Sequence, residues 1–269
     1  MGIYLQEKKL TTPEEMVAEF VSLSKLLKTC NGNVAPIHQE MNIIANNLIL
    51  ITKNTYDKTC IKYQELRNYL HDKDRRSWEN LEKHINTYLK KSPKEIKLLD
   101  VGTGPGRDII YAHKQGYKIT GVDNSDGVIN ILERLNREKL IPDGSYYKND
   151  MRKLQFEDGS FDVVRHNASL IHLPIISYGY TVDQAISEAK RVLVDRGLLY
   201  VSVKKGNSLR FADTGEGLGG RIFQYYTQRM IKALLQRHDF TIIFTIVEPS
   251  TRSKNEKWIS VIAQKNSIL

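Results

Sequence analysis

Two hydrophobic rhythms divide the chain near residue 92. Before it, apolar residues recur at helical spacing, with no convincing alternation of the strand type. Thr12, Pro13, Glu14 and Glu15 form a helix start, with a threonine N-cap, a proline in the first turn and acids that suit the helix dipole. Behind them Met16, Val17, Phe20, Leu23 and Leu27 fall on one face, and Cys30-Asn31-Gly32-Asn33 stops the run. Further helices are expected over 38–52 (Met41, Ile44, Ala45, Leu48 and Ile49 inward), from 56 towards 70, and over 77–89. Lys91-Ser92-Pro93-Lys94 breaks the pattern. The expected division is therefore a helical region over 1–92 and a second unit over 93–269.

From residue 96 short apolar runs alternate with amphipathic stretches. Strands are expected over 96–101, 118–122, 145–148, 161–165, 197–203, 240–247 and 258–264, with helices over 108–115, 127–137, 181–194 and 223–237. That alternation predicts an α/β fold with a mostly parallel sheet covered on both faces. Only a polar loop, 248–257, joins the last two strands, too short for a crossover, so an antiparallel hairpin should close the sheet.

At 269 residues the chain can build one large core with an appendage. No stretch of about 18 apolar residues is present, so no membrane span is expected. The polar opening MGIYLQEKKL is unlike a signal peptide. Two cysteines, Cys30 and Cys60, make neither a disulfide framework nor a zinc pattern. A cytoplasmic, metal-free protein, monomeric or weakly dimeric, is the expectation. The net charge of +9 admits an acidic partner or nucleic acid, but the lysines are scattered rather than blocked.

Candidate chemistry centres on KLLDVGTGPGRD, residues 97–108: an apolar run, then glycines at 102, 104 and 106, then a helix start. Such a turn lets backbone approach a ligand closely and points helix N–H groups at it. Asp123 ends the second strand seventeen residues after Gly106, placed to accept hydrogen bonds from both hydroxyls of a ribose. Glycine turn and acid together describe a nucleoside crevice. They leave a nicotinamide cofactor and S-adenosylmethionine as alternatives. Asn149-Asp150-Met151 after the third strand could pair with an adenine amino group and cover its ring.

Taken with the terminal hairpin, these segments resemble the class I S-adenosylmethionine-dependent methyltransferases of the small-molecule kind, over about residues 96–265. The first motif of that family looks like Leu99 to Asp108, and the second like Gly116-Tyr117 through Gly121-Val122-Asp123-Asn124-Ser125. Glu188 to Leu193 with Gly197-Leu198-Leu199 resembles the helix that runs into strand five. Tyr56-Asp57 and Tyr63 resemble the tyrosines of a cofactor lid helix. The resemblance implies a Rossmann-like sheet that takes S-adenosylmethionine and releases S-adenosylhomocysteine. Gly102, Thr103, Gly104 and Gly106 would back the methionine moiety and Arg107 would meet its carboxylate. Asp123 and Asn124 would hold the ribose, Asp150 and Met151 the adenine. His166 would flank the sulfonium, with Tyr56 and Tyr63 in a helical lid or substrate cap over 1–92.

Methyl transfer is an in-line displacement governed by positioning, and a base is needed only if the acceptor arrives protonated. His166 and Arg165 are the expected catalytic residues, with His172 six residues on as a second histidine. Arg165 would bind an anionic group or pair with Asp162 or another acid. Arg165-His166-Asn167-Ala168 stands where methylases of base amino groups carry an Asn/Asp-Pro-Pro-aromatic loop, which argues against base methylation and a nucleic-acid partner. Arg221 and Tyr225 would face the acceptor from a glycine-rich mobile segment, 210–221 and beyond. Phe20 could contribute a wall, and Asp162 and Asp213 are the acids for a cationic acceptor. The expected acceptor is a small molecule or modified peptide, methylated on an amine nitrogen. Size, lysine and asparagine content and the long helical N-terminus resemble the N-methyltransferases of thiazole/oxazole-modified peptides, with the N-terminal arginine of plantazolicin as one such acceptor. An RNA or ribosome methyltransferase, an O-methyltransferase of a small metabolite and a dehydrogenase-like nucleotide-binding protein are the competing readings.

Overall fold

The computed structural model describes residues 10–30, 33–67, 72–176, 180–213, 217–250, 253 and 255–267. Seven strands form one sheet in the order β3-β2-β1-β4-β5-β9-β8. These are β1 (Lys97–Val101), β2 (Lys118–Asp123), β3 (Tyr146–Lys148), β4 (Phe161–Asn167), β5 (Leu193–Lys204), β8 (Phe240–Pro249) and β9 (Lys257–Lys265). The first five pair in parallel. The last two form the expected antiparallel hairpin, with β9 inserted beside β5.

Alternation along the strands feeds two cores. Leu99, Val101, Val164, Leu199 and Val201 face α6 (Val182–Val192) and α7 (Gln228–Arg237). Leu98, Val163, Leu198 and Tyr200 face α4 (Arg107–Lys114), α5 (Asp126–Arg137) and α3 (Asp72–His84). Both faces of the sheet are thus apolar, as a sheet buried between helices requires.

Three sequence expectations change. The helices expected over 38–52 and from 56 onward are one helix, α2 (Ala35–Arg67), whose expected continuation over 68–70 lies outside the described residues. No glycine or proline interrupts Thr52-Lys53-Asn54-Thr55, and a Lys53–Asp57 pair one turn apart, at 2.7 Å, supports the helix through the junction. The glycine-rich segment after strand five is a hairpin, β6 (Leu209–Asp213) with β7 (Gly220–Gln224), and Phe223 belongs to it rather than to the following helix. The helix α3 starts five residues before its expected position, and Ile85–Leu89 continue it as one π turn.

The hairpin supplies the missing partner for the N-terminal helices. Phe20 and Leu23 of α1 (Pro13–Thr29), Ile37, Met41, Ile44 and Leu48 of α2, and Leu209 and Ile222 of the hairpin close a third apolar cluster. The threonine N-cap expected at the head of α1 is present, and Glu15 completes a capping box with Thr12. No described helix is long and apolar enough to cross a membrane.

Candidate active site

The turn after β1 has the backbone that its glycines predict. Gly102, Gly104 and Gly106 adopt φ of 73°, 57° and 84°, a region that L side chains rarely enter. A Cβ on Gly102 would lie 2.5 Å from the Ser169 Cβ, so this first glycine lets the loop after β4 close on the turn. The N–H groups of Gly102 and Thr103 donate to the Val122 carbonyl at 2.8 and 3.0 Å, pinning the turn to the tip of β2. There Asp123 accepts from the Gly104 N–H through one oxygen and from the Ser125 N–H through the other, each at 3.0 Å. Burial pushes its carboxyl above the usual range, and those two N–H donors oppose the shift. The Asn149 N–H donates to the Asp123 carbonyl at 3.0 Å, so β3 delivers Asp150 and Met151 beside the same corner. Asp150 accepts from Arg152, which also donates to Asn46 of α2 at 2.6 Å, and Met151 is half-buried against the core.

From this turn a cleft of about 700 Å³ runs over the carboxyl ends of β4 and β5 to the start of β9. Gly102, Thr103, Gly104 and Arg107 line one end. A Cβ on Gly104 would project into that space, meeting only the Tyr63 ring at 4.0 Å. The bare backbone there, next to the half-buried Asp123 carboxylate, fits a nucleoside cofactor.

The helix α2 lines this cleft through Tyr56 and Tyr63. Its Asp57 accepts from the Ser125 hydroxyl at 2.7 Å, while its Thr55 hydroxyl donates to the Gly220 carbonyl of β7 at 2.8 Å. One turn of helix therefore joins the head of α5 to the hairpin. Between these ties Tyr56 meets Tyr63 edge to face, 5.5 Å between centroids. The Tyr56 hydroxyl lies 2.9 Å from His172 Nε2 and accepts from Arg221 Nη1 at 3.2 Å. His172 Nδ1 lies 2.8 Å from the Ile222 carbonyl. A carbonyl can only accept, so Nδ1 carries the proton and Nε2 accepts from Tyr56. Burial drives the Tyr56 hydroxyl far above its ordinary pKa, keeping it a donor.

The histidines are poor bases. Burial lowers His172 to about 3, with Arg221 and Lys204 adding to the effect. His166 is also lowered to about 3 by burial, and it sits within β4 with Nδ1 3.0 Å from the Ser169 hydroxyl, outside the lining of the cleft. Each stays neutral when folded but binds a proton when unfolded below about pH 6.5, so stability falls as pH drops through that value. The urea midpoint should be flat from pH 8 to 7 and lower at pH 5, where each histidine costs about 2 kcal/mol. A midpoint unchanged at pH 5 would show that neither is buried uncharged.

Arg165 points beneath the glycine turn. It is wholly buried, 3.0 Å from Asp100 of β1 and 3.3 Å from Asp108 of α4, with its guanidinium 4.6 Å above the Trp78 ring of α3. Trp78 Nε1 donates to Asp108 at 2.8 Å. Burial would raise the Asp108 carboxyl, but Arg165 and Arg107 hold it well below the ordinary range. Arg165 thus takes the pairing alternative, though with Asp100 and Asp108. Asp162 does not join it and does not reach the acceptor side. It lies at the amino end of β4, held by Lys91 at 2.6 Å and the Lys97 N–H at 2.9 Å. Phe20 is likewise absent from the cleft, being core of the third cluster.

The far end carries the other expected residues, Asp213, Arg221 and Tyr225, together with several that the sequence reading missed. Tyr200, Ser202 and Lys204 alternate along the last turns of β5 on one face, and Trp258 and Ser260 face them from β9. Their i, i+2 spacing at the carboxyl end of a predicted strand was the available signal. Trp78 had no such signal, because its partner Asp108 is thirty residues away.

Residues 99–201 match the family described as a methyltransferase domain. The demethylmenaquinone methyltransferase of Thermotoga maritima is 23% identical over 181 residues, 65% of this chain and 69% of that protein. A methyltransferase structure from Methanosarcina mazei superposes with a TM-score of 0.56 at 23% identity, covering 68% of this chain and 97% of its own. The 1,6-didemethyltoxoflavin-N1-methyltransferase of Burkholderia thailandensis, solved with 1,6-didemethyltoxoflavin and S-adenosylhomocysteine, reaches a TM-score of 0.60 at 16% identity over 83% of this chain and 91% of its own. These structural likenesses concern the fold.

Proposed function

We propose that this chain is a class I S-adenosylmethionine-dependent methyltransferase of the small-molecule type, as its match to a methyltransferase domain supports, and that it methylates a nitrogen of a small acceptor that enters with its lone pair free. The observation that carries the reading is the cleft itself, lined at one end by a bare glycine turn and at the other by Tyr200, Phe223, Tyr225 and Trp258. The Gly104 N–H of that turn reaches back to Asp123, itself outside the lining with Asn124, Asp150 and Met151. When bound, the cofactor supplies an electrophilic methyl carbon on a sulfonium. The glycine turn and Asp123 would set the amino-acid and ribose parts, with Asn124, Asp150 and Met151 at the adenine side and Arg107 towards the carboxylate. Tyr56 and Tyr63 would cover it, which makes the helices before residue 92 a cap over both ligands.

Transfer to a nitrogen would require the cleft walls to hold that atom's lone pair in line with the methyl carbon and to exclude water. The nitrogen's proton leaves to solvent. No side chain need take it: His172 has both ring nitrogens engaged and is far too weak a base for an ammonium group. A nitrogen of low basicity, such as that of a heteroaromatic amine, meets this condition, whereas an alkylamine or guanidine arrives charged. The arginine end of a plantazolicin-type peptide is the weaker reading for the same reason. Its acids would be Asp213, Glu248 and Glu256 at the mouth, while Lys204 and Arg221 occupy the inner wall.

The test offers the enzyme methyl-labelled S-adenosylmethionine with heteroaromatic amines, a basic peptide and tRNA in parallel. Label is expected in a heteroaromatic amine. Label in the peptide or tRNA alone would overturn the proposed acceptor class.

A further inference from the structure

Lys204 ends β5 deep in the cleft and is only 8% exposed. A buried ammonium group needs charge and hydrogen-bond partners to offset its desolvation. Here three aromatic faces surround it: its Nζ lies 4.4 Å from the centroid of Phe223, 5.7 Å from Trp258 and 5.9 Å from Tyr225. Its carboxylate partner is Glu256, at 2.5 Å. Among the described residues, the remaining charged groups of the cleft are Arg107, Asp108, Asp213, Arg221 and Glu248. Arg107 pairs with Asp108 at the cofactor end, and Glu248 pairs with Arg76.

The Lys204–Glu256 pair is lopsided. The lysine side chain is 10% exposed and held on a central strand, registered against Trp258 of β9. The glutamate is 26% exposed, immediately precedes β9, and lines the cleft with Ser250 and Ser253. Glu256 can turn out into water at little cost, while Lys204 has nowhere else to go. A carboxylate entering between the aromatic faces would replace Glu256 and leave the lysine no worse paired. The ring that carried it would find three aromatic side chains to pack on.

We propose that Lys204 anchors an anionic group, a carboxylate or comparable oxyanion, on a planar aromatic acceptor, with Glu256 as a placeholder that the acceptor displaces. This rests on the small-molecule methyltransferase reading and narrows it to a substrate class. The chemistry is ordinary charge pairing, and no covalent step involves Lys204.

The test uses the full chain saturated with S-adenosylhomocysteine, titrated with quinoline-2-carboxylate and with quinoline-2-carboxamide. The carboxylate should bind about tenfold or more tightly than the amide, as expected for one charge-assisted contact. Lys204→Met should erase that preference, and Glu256→Gln should strengthen carboxylate binding by removing the competitor. The Glu256→Gln arm guards against a Lys204 variant that fails to fold. Equal binding of the two probes, no binding of the carboxylate at millimolar concentration, or a preference that survives Lys204→Met would each overturn the proposal. S-adenosylhomocysteine affinity should be unchanged in both variants. Loss of that affinity in the unaltered chain would instead refute the methyltransferase reading, so the two failures are distinguishable.

Discussion

Asp123→Ala should weaken S-adenosylhomocysteine binding by about a hundredfold or more, because two charge-assisted hydrogen bonds to a ribose are worth roughly 3 kcal/mol or more together. The carboxylate is already aimed: the N–H groups of Gly104 and Ser125 fix one oxygen each, leaving further lone pairs at the open side of the tip of β2. Its partial burial favours it as an acceptor, since water competes less there than at an open surface. Asp123→Asn keeps the shape and one acceptor oxygen but loses the charge, and should recover part of the loss. Calorimetric titration of the three proteins reads the series directly. Equal affinity across them would remove Asp123 from the cofactor site.

Arg165→Met should have the largest effect on stability, lowering it by about 3–5 kcal/mol, the usual result of stripping one partner from a buried ion cluster. The substitution leaves Asp100 and Asp108 facing each other in apolar surroundings with Arg107 as the remaining countercharge among the described residues. Both carboxyls would then be pushed up, since burial and mutual repulsion already raise Asp100. A carboxyl with a raised folded-state pKa stabilises only below it and costs stability as pH rises through it. The loss should therefore be greater at pH 8 than at pH 5. Arg165→Lys keeps the charge but cannot span two acids and a tryptophan face with one planar group, so it should recover only part of the loss. Urea unfolding at the two pH values measures this. An Arg165→Met midpoint equal to that of the parent would mean that the cluster contributes nothing net.

Both predictions trace to parts of the molecule that differ in how much the sequence discloses. The glycine turn was legible because backbone geometry alone demands it: three positive φ values in five residues leave few other residues possible. Asp123 was legible because a strand's end is set by the same apolar run that defines the strand. The seven main strands followed from alternation and length, with bounds displaced by a few residues. The β6–β7 hairpin was hidden because Arg210, Gly219 and Gly220 read as loop, and its pairing depends on Leu209 and Ile222 finding the apolar face of α1 and α2. Pairing of charges was less legible still. Arg165 and Asp162 lie three residues apart on β4, yet one is held by acids of β1 and α4 and the other by Lys91 and the Lys97 N–H. Those partners come from register between strands far apart in sequence. The tie from α2 to β7, through Thr52 and Thr55, is of the same kind.

The central claim is that the corner formed by the glycine turn and Asp123 is built for S-adenosylmethionine. Titration of the purified protein with S-adenosylhomocysteine, and separately with NADH, tests it most directly. Micromolar binding of S-adenosylhomocysteine with no binding of NADH is the predicted result. Binding of NADH, or of neither, would contradict the account and leave the turn to another ligand.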